Sequence, residues 1–115
     1  VFKLERLRIA DDEPIALDVT YIPYLLCPGL GDEDVANLSL YGLLEKKYGH
    51  KLATARQSIQ AVSADDYLAR VLNTDPGSPL LFFERTSSTG SGMKIEFTLS
   101  YYRSDRYKFY VDMHR

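Results

Sequence analysis

From Met93 to Tyr102 the chain alternates without interruption: Met93, Ile95, Phe97, Leu99 and Tyr101 fall on one side, and Lys94, Glu96, Thr98, Ser100 and Tyr102 on the other. This is the period of a half-buried β-strand, because successive side chains leave a strand on opposite faces. After the polar corner Arg103-Ser104-Asp105-Arg106 a second run sets Tyr107, Phe109, Val111 and Met113 against Lys108, Tyr110 and Asp112, and predicts a further strand. The N-terminal part follows the same pattern. Leu7 and Ile9 oppose Arg6 and Arg8, then Ile15, Leu17, Val19 and Tyr21 oppose Ala16, Asp18 and Thr20, with Asp11-Asp12-Glu13-Pro14 as the turn between them. A loop centred on Asp12 pairs Ile9 with Ile15 and Leu7 with Leu17 on the core side. It sets Arg6 opposite Asp18 and Arg8 opposite Ala16 on the polar side.

The middle of the chain changes period. Pro23 ends the second strand, and Pro28-Gly29-Leu30-Gly31 leads through the acidic Asp32-Glu33-Asp34 towards a helix. Leu40, Leu43, Leu44 and Tyr48 recur at helical spacing, with Ser39 placed to cap the helix and Gly49 to end it. Leu52 to Val62 reads as a strand, and Ser63-Ala64-Asp65-Asp66 as a capping box opening a short helix with the stripe Tyr67, Leu68, Val71 and Leu72. The breaker-rich Asn73 to Pro79 connects to an apolar strand, Leu80 to Ser87, and Thr89-Gly90-Ser91-Gly92 turns it back so that Arg85 lies across from Glu96. The predicted order is ββαβαβββ. It describes an α+β fold, a mostly antiparallel sheet with two helices packed on one face.

Composition narrows the function. The 115 residues are 45% hydrophobic and 26% charged, the balance of one globular domain that needs no disulfide or metal to hold it together. The net charge of −2 comes without a basic block, which argues against direct nucleic-acid binding by this segment. Apolar runs are too short and too interrupted for a membrane span. The single Cys27, in Leu25-Leu26-Cys27-Pro28, has no disulfide partner and reads as a small buried hydrophobe in a reducing, cytoplasmic setting. His50 and His114 have no ligand partners at metal spacing, and no Ser or Cys is matched to a His base, so neither a metal, a cofactor nor a catalytic residue is expected.

The candidate chemistry lies on polar strand faces. Arg6 and Arg8 project in parallel, as two forks able to grip one phosphate or carboxylate; the plainer alternative is a solvated face with cross-strand pairing to Asp18. Glu96 and Tyr102 share the same two readings. The predicted helix start Ser39-Leu40-Tyr41-Gly42 offers an anion free N–H groups. Arg103, Asp105 and Arg106 read as a salt-bridged turn, and Tyr101 as core.

The ordered set of these pieces resembles a known family. Leu4-Glu5-Arg6-Leu7-Arg8 leading to Asp12-Glu13-Pro14-Ile15-Ala16-Leu17-Asp18 and Tyr21-Ile22-Pro23 looks like the opening of the UTRA domain, the effector-binding domain of HutC-type GntR transcriptional regulators. Ser39-Leu40-Tyr41 with Leu44-Glu45 and Tyr48-Gly49 matches its central helix. Pro79-Leu80-Leu81 with Glu84-Arg85-Thr86 matches its apolar strand, and Ile95-Glu96-Phe97-Thr98 through Tyr102-Arg103-Ser104-Asp105-Arg106-Tyr107 its ending. The resemblance implies a chorismate-lyase-like fold over residues 1–115, with a winged helix-turn-helix DNA-binding domain and the start of the domain lying upstream of this fragment. It also implies a site. In sugar-phosphate-responding members two alternate arginines and the Ser and Tyr of the helix start hold the phosphate, matching Arg6, Arg8, Ser39 and Tyr41; an acid of the second strand and a later Glu and Tyr hold the sugar, matching Asp18, Glu96 and Tyr102. Gly90-Ser91-Gly92-Met93-Lys94 departs from the family's usual short acidic or glycine turn, so the pocket rim is expected to differ.

The leading expectation is therefore an effector-sensing, homodimeric regulatory domain that binds a small anionic metabolite, such as a sugar phosphate, and reaches DNA only through another domain. The rival is a lyase on the same fold, with Arg6 or Arg8 gripping a substrate carboxylate and Glu96 as general acid. A third is a module that only dimerises.

Overall fold

The computed structural model describes residues 1–33 and 39–115; the Asp34 end of the acidic stretch lies outside them. Five antiparallel strands form one sheet in the order β1-β2-β5-β4-β3. They are β1 (Phe2–Ala10), β2 (Glu13–Ile22), β3 (Leu52–Ser63), β4 (Pro79–Thr89) and β5 (Lys94–Arg103), with helices α1 (Leu40–Lys46) and α2 (Asp66–Val71). Short 3-10 turns cover Tyr24–Leu26 and Leu30–Asp32.

The first hairpin turns on two residues. Asp11 and Asp12 both have positive φ, 52° and 62°, the conformation whose twist matches flanking strands and which Asp tolerates better than most side chains. Arg6 faces Asp18, Leu7 faces Leu17 and Arg8 faces Ala16, as the hydrophobic pattern requires. The expected pairing of Ile9 with Ile15 does not form. The register shifts between Arg8 and Ile9, and Ile9 faces Pro14, which has no N–H to give the ladder.

The two helices lie on opposite faces, not on one. Leu68, Ala69 and Leu72 of the α2 region pack with Leu17, Val19 and Leu80. Leu40 and Leu44 of α1 pack with Ile22, Cys27, Leu30 and Ile95. Because neighbouring strand residues point oppositely, Leu17 and Val19 belong to one side of β2 and Ile22 to the other. The reason is connectivity. β2 and β3 are separated by β5 and β4, and the connection between them carries α1 over the side that bears Arg6 and Arg8. Ser39 caps α1 as expected, its hydroxyl accepting from the Gly42 N–H at 3.2 Å. For α2 the cap is Asp65, accepting from the Leu68 N–H at 2.8 Å, rather than a box opened at Ser63.

Two further expectations change. Ile95 does not share a face with Leu99 and Tyr101. Ser87 pairs with Glu96 and Ser88 with Lys94, so Ile95 is the extra residue of a bulge. Ile95 joins the α1 cluster while Leu99 and Tyr101 pack on the α2 cluster. The final strand, 107–113, is absent. Both ladder sides of β5 are already taken by β2 and β4, so a hairpin continuing from β5 has nowhere to pair. The chain instead turns at Arg103, held by bonds from that guanidinium to the Leu72 and Asn73 carbonyls and to Asp105, and lays Tyr107 and Phe109 on Phe83.

Leu44 and Leu72 are fully buried, one on each face. Replacing either with Ala should cost about 2–5 kcal/mol in urea unfolding, whereas Leu25→Ala, at a side chain 88% exposed, should change stability by no more than ~0.5 kcal/mol.

Candidate functional site

The sheet register builds the site row by row. Arg6, Asp18, Ser100, Phe83 and Ile59 lie side by side across the five strands; Leu4, Thr20, Thr98, Arg85 and Gln57 form the next row. Both rows look towards α1. At their centre the Thr20 and Thr98 hydroxyls, each almost wholly buried, bond to one another at 3.0 Å, satisfying two polar groups that burial would otherwise penalise.

Between this floor and the start of α1 is a cavity of about 280 Å³ lined by Arg6, Arg8, Ser39, Leu40, Tyr41, Arg85 and Glu96. Five of the seven residues singled out in the sequence meet here. Asp18 is not among the lining residues: it is buried beneath them, with its Oδ2 receiving Arg8 Nε at 2.5 Å. Tyr102 lines the adjoining pocket, which shares Arg85 with the first.

Glu96 is the anchor. Its Oε1 accepts from Tyr41 Oη at 3.1 Å, Ser87 Oγ at 3.1 Å and Arg85 Nε at 3.2 Å. These donors come from α1 and β4, so one buried oxygen ties roof to floor. The bulge makes this possible, since it turns Ile95 and Glu96 towards the same helix. Arg85 is not directly across from Glu96, as a regular ladder would have it; Arg85 faces Thr98 and reaches Glu96 diagonally, because the extra residue shifts the register. The guanidinium also lies over the Tyr41 ring, 5.9 Å from its centroid. Arg85 was the site residue left out of the sequence-derived set. Its place opposite the Glu96 region was the available signal.

The charges do not balance. Arg8 is paired with Asp18 and Arg85 with Glu96. Arg6 has no ion-pair partner among the described residues, and its Nε is buried without a hydrogen bond, as is Asp18 Oδ1. Bonding to Asp18 raises the Arg8 guanidinium above its ordinary value. Burial, and then the charge of Glu96, push the Tyr41 phenol up against a smaller opposing effect of Arg85. Burial and the Asp18 charge do the same at Tyr102. Both phenols are therefore neutral donors through the physiological range.

Among the described residues no group of three or more His, Cys, Asp or Glu side chains is placed to hold a metal, and no helix is long and apolar enough to cross a membrane. Cys27 is buried in the α1 cluster.

The sheet, with a helix crossing one face over an arginine-rich cavity, defines an α+β domain. The UTRA domain family model matches residues 1–108, and the chain belongs to that family. It is 31% identical over 114 residues to the HTH-type transcriptional repressor NagR of Bacillus subtilis, covering 97% of this chain and 46% of that protein. The chain thus spans about half the length of the curated relatives it matches. Among solved structures it superposes on a GntR-family transcriptional regulator from Enterococcus faecalis with a TM-score of 0.89 at 35% identity, covering 96% of this chain and 79% of that one. For the effector domain of PhnF from Mycobacterium smegmatis the TM-score is 0.91 at 28% identity, with coverage of 98% and 69%. The Bacillus subtilis and Enterococcus faecalis proteins are named as a transcriptional repressor and a transcriptional regulator.

The raised phenols set a sign for alkaline stability. Their protons are held more tightly in the folded chain than at the ordinary tyrosine value of 10.0, so this stabilisation is complete below that pH and is lost as pH rises through the folded values. The melting temperature should fall above pH 10, and Tyr41→Phe and Tyr102→Phe should each flatten that fall in a pH series of thermal melts. An unchanged slope in both variants would contradict the assignment.

Proposed function

We propose that this domain senses a small anionic metabolite, a sugar phosphate being the best fit, and passes the occupancy of its cavity to an attached DNA-binding domain. The observation that carries this is the surplus cation. Three guanidinium groups line one cavity, two of them matched to carboxylates, and the third, Arg6, keeps a buried Nε–H without an acceptor. A buried donor left unpaired costs free energy that an incoming oxyanion removes. Arg6 and Arg8 take the anion as parallel forks, with Ser39 and Tyr41 on the opposite wall. Ser39 Oγ accepts from Gly42, which leaves its own proton to donate.

The sugar follows from the remaining groups. Glu96 has Oε1 occupied by three donors, and among the described residues its Oε2 takes none of them, so it serves as an acceptor for a hydroxyl. Asp18 acts by holding Arg8, and Tyr102 offers a neutral phenol beyond Arg85. The site reads as binding without turnover, in line with relatives named as regulators.

In this reading residues 1–115 are the ligand-binding part of a longer bacterial, cytoplasmic regulator of the HutC type. A winged helix-turn-helix and the beginning of this domain precede it, and two copies assemble as a homodimer. The effector alters DNA binding only by its differential affinity for two arrangements of the attached domains.

A thermal-shift panel of hexose 6-phosphates, inorganic phosphate, sulfate and small carboxylates should show a rise in melting temperature with a phosphorylated sugar. Arg6→Ala and Arg8→Ala should each weaken that ligand roughly ten- to a hundredfold in calorimetric titration. Equal affinity in both variants would remove the anion site from this cavity.

A further inference from the structure

The sheet has two outer edges, and they differ. β1 interrupts its edge with Lys3, Glu5, Arg6 and Arg8 and with the register shift after Arg8, the charge and irregularity that keep an edge strand from pairing with other chains. β3 has neither. Its twelve residues carry one charge, Arg56, and no proline; all but Leu52 and Val62 are exposed, and its ladder with β4 runs without a shift from Thr54 to Ser63. Among the described residues only β4 pairs with it, so a row of backbone N–H and C=O groups faces outward along its length. Ile59 lies exposed in the middle of that edge.

The molecule also holds a segment of strand pattern that lacks a neighbour. From Tyr107 to Met113 apolar and polar residues alternate, yet the segment joins no ladder, and Tyr110 and Met113 are 79% and 86% exposed. Aromatic contacts set its path. Tyr107 rests on Tyr102 of β5 and Phe109 on Phe83 of β4, with ring centroids 4.3 and 5.3 Å apart, and both line a pocket with Gln57 of β3. The tail therefore runs over the sheet from β5 towards β3. Crossing above the strands, it does not lie in their plane beside its own β3 unless it doubles back, so it delivers Tyr110 to Met113 to whatever stands beyond that edge.

We propose that a second copy of this chain stands there and that the two exchange tails, each adding 110–113 as a sixth strand to the outer edge of the other's β3. The two segments are complementary on both faces. With Val111 beside Ile59 in an antiparallel ladder, Met113 falls beside Gln57 on the same face, while on the other Tyr110 meets Gln60 and Asp112 stands diagonal to Arg56. Neither Arg56 nor Asp112 has an ion pair within its own chain among the described residues. A reciprocal exchange is closed by a two-fold axis, so it makes a dimer and not a fibre. The proposal rests on the homodimer reading above and assigns it an interface.

The test is sedimentation equilibrium of the chain over a concentration series, beside two variants. One ends after Phe109, which keeps both aromatic contacts; the other is Ile59→Lys, at an exposed position where a charge blocks edge pairing. Circular dichroism and thermal melts check that each folds. The unmodified chain should be a dimer, and each variant should weaken it by about tenfold or more. In hydrogen exchange the outward β3 amides and those of 110–113 should be protected in the dimer and lose that protection on dilution. A dimer that persists in both variants keeps the homodimer reading and overturns this interface. Loss in Ile59→Lys with the shortened chain still dimeric overturns the exchange in favour of β3 meeting β3. Protection of 110–113 in a chain that stays monomeric overturns it as well, since the tail then pairs within its own chain. A monomer without that protection discards both readings.

Discussion

A single carboxylate oxygen organises the binding face. Glu96 Oε1 receives a phenol from α1, and a guanidinium and a hydroxyl from β4, while its own backbone belongs to β5. A buried carboxylate without such donors would be strongly unfavourable; with them it becomes a fixed point in a low-dielectric environment. α1 is only seven residues long, too short to hold a position through helical propensity alone. Its place over the sheet depends on Leu40 and Leu44 in the apolar cluster and on this polar contact. The bulge at Ile95 serves both at once, because it sends the apolar and the acidic residue to the same helix.

The division of the sheet into two unlike faces follows from how the chain connects its strands. β3 and β4 are neighbours, so α2 spans a short distance and seals the apolar face with Leu68 and Leu72. β2 and β3 are separated by β5 and β4, so the crossing segment is long. The cavity lies between these polar rows and the start of α1. The arginines are held by partners beside them, Arg8 by Asp18 and Arg85 by Glu96, which fixes their forks. Arg6 alone of the three has no ion-pair partner among the described residues.

The family match and the charge count in the cavity rest on separate observations. The UTRA family model spans residues 1–108, and one GntR-family regulator superposes with a TM-score of 0.89 at 35% identity. Neither comparison enters the charge count in the cavity. That count comes from which guanidinium groups the register brings together and which carboxylates lie within reach of them.

The sequence by itself determined the local structure and most of the site's chemistry. Period-two patterning located the strands because a strand's side chains must alternate, and it set Arg6 opposite Asp18 by requiring Leu7 to meet Leu17. Ser39, Arg6, Arg8 and Glu96 could be picked out because each sits at a cap or on a polar strand face, whereas Tyr41 came only with the family resemblance. Only the tertiary structure decided which face each helix covers, because that depends on strand order, and strand order is set by pairings between residues far apart in the chain. It also broke the alternation at Ile95, brought Arg85 into the site by a diagonal contact, and set Asp18 beneath Arg8 rather than in the cavity wall. The last run, 107–113, shows the limit most clearly. Its pattern is that of a strand, but a strand needs a free neighbour, and β2 and β4 had already occupied both sides of β5.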